Sequence, residues 1–121
     1  MMKQLLFIFF GGGLGSVLRF LMSLYTQKWW TFHNFPLGTF MVNTIGCFVI
    51  GVFSAYFLRN PSDLKYFLIA GFCGGFTTFS TFSLEGLQLF QQQEYGTLLC
   101  YFLLSIVVGL VLTYVGFNLS K

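Results

Sequence analysis

Long apolar runs alternate along the chain with very short polar interruptions. The runs occupy about residues 4–25, 37–58, 64–90 and 97–119. Each reaches the ~20 residues that an α-helix needs to cross a hydrocarbon core of ~30 Å. Between them stand brief turns such as "RNPSD" (59–63) and "QQQEYG" (91–96), with no linker and no low-complexity tract. The pattern predicts an all-α integral membrane fold, one domain over residues 1–121 with four transmembrane helices. Pro36 stands near the first turn of the second helix, where its missing N–H does no harm. Trp29 and Trp30 follow the first run and suit an interfacial aromatic belt. Lys3 followed by "LLFIFF" has the outline of a signal peptide. Arg19 interrupts its tail and no small-x-small cleavage site follows, so a first membrane helix is expected.

The third run is too long for a straight crossing. Its length from residue 64 to 90, at ~1.5 Å per residue, gives roughly 40 Å of helix. Gly74 and Gly75 lie near its middle, and glycine weakens a helix by ~1 kcal/mol relative to alanine. Thr77, Thr78, Ser80, Thr81 and Ser83 follow, with side chains that compete for backbone partners. The expectation is a helix opened by the glycines and broken within residues 74–78. In lipid the freed N–H and C=O groups must then be satisfied by protein, water or an ion.

Composition supports the membrane class: only 7% of residues are charged, against about 25% in a soluble domain. The net charge of +3 comes from scattered side chains, so no nucleic-acid surface is expected. Cys47, Cys73 and Cys100 are odd in number and form no CxxC pair, which predicts small buried hydrophobes. No Ser–His, Cys–His or paired-carboxylate arrangement is visible, and His33 falls in a turn, so an enzyme is not expected. Lys3, Arg59, Lys65 and Lys121 share one side of the predicted bundle and Lys28 the other, which by the positive-inside rule puts both termini in the cytoplasm.

Polar or small residues recur on every helix. The first carries Gly11, Gly15 and Arg19 at steps of four, the second Thr39, Asn43, Gly46 and Gly51, and the fourth Tyr101, Ser105, Gly109 and Thr113. Glycines at this spacing admit a second backbone, Arg19 needs a partner or water, and Asn43 is either interhelical glue or part of a polar path. On the third helix Phe76, Phe79 and Phe82 stand among hydroxyls, with Glu85 a turn beyond. A cation path usually shows carboxylate rings, whereas this chain has only Asp63, Glu85 and Glu94 as acids. Hydroxyls, an amide and the electropositive edges of phenyl rings suit an anion or a small neutral solute, held weakly enough to pass.

The segments "GFCGGFTTFSTFSLE" (71–85), "GGGLGSVLRF" (11–20) and "PLGTFMVNTIGCFVIG" (36–51) resemble the signatures of the Fluc family of bacterial fluoride channels. The resemblance covers nearly the whole chain and is weakest in the fourth helix. It implies a homodimer of four-helix subunits inserted antiparallel (dual topology) in the bacterial inner membrane, in contrast to the single orientation that the charge count favours, with two fluoride pores that export fluoride passively. It implies that Phe79 and Phe82 form an aromatic box and that Asn43 is a pore-lining amide. Ser80, Thr81, Ser83 and Glu85 then make the polar neighbourhood, with Tyr101 and Ser105 added from the fourth helix and Arg19 at a vestibule. It further implies a structural sodium ion at the dimer interface, held by the backbone carbonyls of Gly74 and Thr77. Two other readings share the size and helix count: a proton-coupled four-helix multidrug exporter, which needs an acid in the first helix, and a non-transporting membrane subunit.

Overall fold

The computed structural model describes residues 1–29 and 34–121, without the side chains of Gln27 and Trp29. The expectations for the Trp29 ring, Trp30 and His33 lie outside the described residues. Helix α1 spans Met2–Trp29 and α2 spans Leu37–Arg59. A π-helical stretch, Tyr66–Cys73, runs directly into a short α3, Gly74–Phe76. After a break, α4 spans Phe79–Gln91 and α5 spans Tyr95–Ser120. Four stretches are long and apolar enough to cross a membrane: Met2–Thr26, Leu37–Arg59, Tyr66–Gln91 and Tyr95–Ser120. The chain is therefore a multi-pass membrane protein. No strand occurs among the described residues.

The helices pack as two couples, α1 along Tyr66–Cys73 and α3, and α2 along α5. Glycine sets both contacts. A Cβ built on Gly15 would meet the carbonyl oxygen of Phe72 and lie 2.8 Å from the nitrogen of Phe76. One on Gly75 would meet the backbone of Gly12, with its Cα at 3.0 Å. Gly51 and Gly116 do the same between α2 and α5, against the backbones of Thr113 and Phe48. Without a hydrophobic force between helices in lipid, such close backbone approach is what holds them together. At one end of the bundle the exposed Lys3 and Asp63 stand 3.8 Å apart, and Arg59 donates to the Ser120 carbonyl.

These contacts revise two expectations. Gly74 and Gly75 do not open the helix: Gly74 is helical (φ −63°, ψ −38°) and Gly75 lies inside α3. The chain leaves the helix at Thr77 (φ −87°, ψ 159°) and Thr78 (φ −152°, ψ 122°), two β-branched residues suited to extended backbone. Gly75 serves packing, a Cβ on Gly74 would meet nothing nearer than the Ile69 oxygen at 3.9 Å, and the two threonines take up the extended backbone of the break. Of the cysteines, Cys73 is buried, Cys47 half-buried and Cys100 exposed, because Cys100 falls on the outer face of α5.

The packing role of Gly15 can be measured against Gly13, where an added Cβ meets nothing within 4 Å. Gly15→Ala is expected to destabilise the folded protein by about 1–3 kcal/mol through overpacking. Gly13→Ala is expected to be neutral or to stabilise by up to ~1 kcal/mol through helix propensity. Thermal unfolding in detergent, followed by circular dichroism, checks both; equal melting points would remove Gly15 from the α1 contact.

Candidate functional site

The break creates the site. In a continuous helix the Thr78 N–H would bond the Gly74 carbonyl, and the Thr81 N–H that of Thr77. Here the Thr78 N–H donates to Asn43 Oδ1 at 2.8 Å, and Asn43 Nδ2 donates back to the Thr78 carbonyl at 3.1 Å. The Thr81 N–H donates to Thr78 Oγ1 at 3.2 Å, so Thr78 caps α4. The Gly74 and Thr77 carbonyls thus lose their helical partners. The Gly75 carbonyl, also freed, accepts from Arg19 Nε at 3.0 Å. Thr77 Oγ1 donates to the Cys73 carbonyl at 2.8 Å, so its hydroxyl is engaged within the helix. Three carbonyls at the break, those of Gly74, Phe76 and Thr77, are left without a helical partner as hard oxygen atoms. Among the described residues no cluster of His, Cys, Asp or Glu could hold a metal.

Beside the break lies a cavity of about 370 Å³. Its wall includes Asn43, Thr77, Thr78, Phe79, Phe82 and Ser105, with Gly46, Cys47, Ile50 and Ile106 completing it. Among the described residues no charged side chain lines it. The Phe79 and Phe82 rings stand 5.9 Å apart at 58°. Phe82 is set by two further rings, Tyr101 at 4.9 Å and Phe102 at 5.0 Å. Phe79 stays 68% exposed on a single chain, whereas Phe76 is only 6% exposed and stacks on Phe72. The Tyr101 hydroxyl donates to Glu85 Oε1 at 3.4 Å.

The structure therefore brings together only part of the sequence-derived set. Asn43, Phe79, Phe82, Ser105 and Thr77 share the cavity. Tyr101 and Glu85 form a second group behind Phe82. Thr81 is engaged at the helix cap, and Ser80 and Ser83 are exposed on α4. Gly74 is exposed at the break. Arg19 is half-buried against the Gly75 carbonyl and lines no part of the cavity. Asn43 bonds the break through both atoms of its amide and also stands on the cavity wall. The polar stripes divide likewise. Ser105 faces the cavity, while Gly109, one step along α5, packs toward Cys47, whose Sγ would lie 3.3 Å from an added Cβ.

Sequence reasoning passed over Thr78 as a keystone and Phe102 as a support for Phe82. For Thr78 the signal was present, a threonine directly before a helix with its N–H partner three residues on. Phe102 gave none: its ring occupies space left by Gly86, whose Cβ would come within 2.7 Å of it.

Four membrane-spanning helices, one of them broken beside a cavity lined by rings, hydroxyls and an amide, define a small integral membrane protein. A family model described as "CrcB-like protein, Camphor Resistance (CrcB)" matches residues 6–117, and the chain belongs to that family. It is 45% identical to a protein of Azobacteroides pseudotrichonymphae over 100% of this chain and 98% of that protein. It is 46% identical to one of Phocaeicola vulgatus, over 99% and 100% respectively. A relative in Flavobacterium psychrophilum is 43% identical over 99% and 98%. All three are named fluoride-specific ion channel FluC.

Proposed function

We propose that this chain forms a passive, fluoride-selective channel in the bacterial inner membrane, working as an antiparallel homodimer with two pores. The observation that carries the proposal is the cavity beside the break. It gathers Asn43, Phe79, Phe82 and Ser105, with no charged side chain among the described residues of its wall. The naming of near full-length relatives as fluoride channels supports the same choice of ion. The relatives are named as ion channels, which are not enzymes.

The chemistry follows from the wall. Phenyl rings carry positive edges, and hydroxyl and amide N–H groups donate to an anion. No full positive charge holds the ion, so binding is weak and release fast. Hydrofluoric acid enters a cell uncharged and dissociates at neutral pH. The membrane potential then drives the trapped anion outward at ~2.3 kcal/mol per 100 mV, and no pump is required. Phe79 is open on a single chain, which suits a pore completed by a second copy. A sodium ion between copies would be held by the Gly74 and Thr77 carbonyls and would supply positive charge to oxygen atoms that the break strips of partners. A Cβ on Gly74 would meet only the Ile69 oxygen, at 3.9 Å, within one chain. Loss of dimer in Gly74→Leu would then report the partner's approach.

Purified protein in liposomes is expected to release fluoride without a proton gradient and to retain chloride. Sodium scattering on the dimer axis of a crystal reads the ion in the same preparation. Chloride flux equal to fluoride flux, or strict dependence on a proton gradient, sinks the channel proposal. The proton-coupled exporter is the reading favoured by the latter outcome, yet α1 contains no acidic residue to carry a proton. A preparation that moves no ion at all would favour the non-transporting subunit.

A further inference from the structure

The turn "QQQEYG" reads in sequence as nothing more than a soluble connection, but its glutamines are not equivalent in space. A second cavity of about 320 Å³ lies between the C-terminal half of α4 and the approach to α2. It is lined by Glu85, Gln88 and Gln92, with Asn34, Phe35 and Pro36 opposite. Gln91 and Gln93 are not part of it. Residues 85, 88 and 92 follow the three- and four-residue steps that fall on one helix face. The two cavities are joined by contacts. Phe82 lines the first cavity and packs on Tyr101 at 4.9 Å, and Tyr101 donates to Glu85, which lines the second.

We infer that Gln88 and Gln92 form a carboxamide mouth where a fluoride ion enters or leaves the path and exchanges water for amide N–H groups. The inference rests on the proposed channel and extends it by one site. Glu85 is the one acidic group in this wall, and alone it would turn an anion away. Glutamine amides set next to it offer N–H donors without a fixed positive charge that would hold the ion too tightly. Both glutamines are exposed, so substitution there leaves the packed interior untouched.

The test compares fluoride efflux from liposomes for the full-length protein and two double variants, with folded dimer measured for each. In Gln88→Glu with Gln92→Glu, added negative charge at the mouth should cut flux roughly tenfold at low ionic strength. Most of that loss should vanish in concentrated impermeant salt, because the screening length falls from ~30 Å at 0.01 M to ~3 Å at 1 M. In Gln88→Leu with Gln92→Leu, loss of the donors should lower flux by about threefold at both salt levels, since no charge changes. Wild-type conduction with both variants unchanged would overturn the mouth and leave the channel standing. A loss in the glutamate variant that ignores salt would also overturn it, because the field at the mouth would not be the cause. Absence of fluoride flux in the wild type would overturn the channel and the mouth together.

Discussion

Phe79→Ile and Phe82→Ile are each expected to assemble as dimers and to lose fluoride flux by roughly tenfold. Isoleucine keeps most of the apolar bulk and removes the ring's quadrupole, worth about 0.5–1.5 kcal/mol in aromatic contacts beyond area burial. The effect should be purest at Phe79, whose ring is 68% exposed on one chain and packs little within it. Phe82 also contacts Tyr101 and Phe102, so its replacement should lower stability as well as flux. Phe76 is the internal control. It is 6% exposed and stacked on Phe72 at a centroid distance of 5.7 Å. Phe76→Ile should reduce the yield of folded protein while each surviving dimer conducts normally. Flux per dimer and dimer yield, measured for all three together, separate the ring edges from mere filling. Normal flux in both Phe79→Ile and Phe82→Ile would show that the rings do not carry the ion.

At Asn43 the expected losses are larger and of two kinds. Asn43→Leu deprives the Thr78 N–H and carbonyl of their side-chain partner, at a cost of about 1–3 kcal/mol for each group left unsatisfied. Lower thermal stability should follow, with loss of flux as the break relaxes. Asn43→Asp differs: a carboxylate still accepts from the Thr78 N–H but places negative charge on the cavity wall. A like charge ~4 Å away costs about 4 kcal/mol at an effective dielectric of ~20, which is more than a hundredfold in occupancy. The aspartate variant keeps the bond from the Thr78 N–H but sets a carboxylate oxygen against the Thr78 carbonyl, so it is expected to lose stability too and to conduct less than the wild type by at least about a hundredfold. Wild-type flux in Asn43→Asp would place the anion path elsewhere, whatever the amide does for the break.

The sequence by itself determined the membrane class, the four spans and the presence of a break in the third. Each follows from local quantities: runs of ~20 apolar residues, and a segment too long for the bilayer with threonines in its middle. It also singled out the rings and the amide, because hydroxyls and Asn43 are out of place in oil unless something polar receives them.

Only the tertiary structure decided what each of these residues does. Gly74 and Gly75 looked like the cause of the break, since glycine weakens helices, but whether a glycine bends a helix or admits a neighbour depends on what lies opposite. For Gly75 that is the backbone of Gly12, and the helix runs straight through it. Arg19 bonds a carbonyl 56 residues away, and Asn43 bonds Thr78 across 35 residues. Periodicity within one helix cannot show either pairing, because it fixes a face and not the partner that the face meets. The division of the glutamines is of the same kind. Local pattern makes 91, 92 and 93 alike, and only the turn of α4 toward the start of α2 puts Gln88 and Gln92 on a cavity wall and leaves the other two outside it.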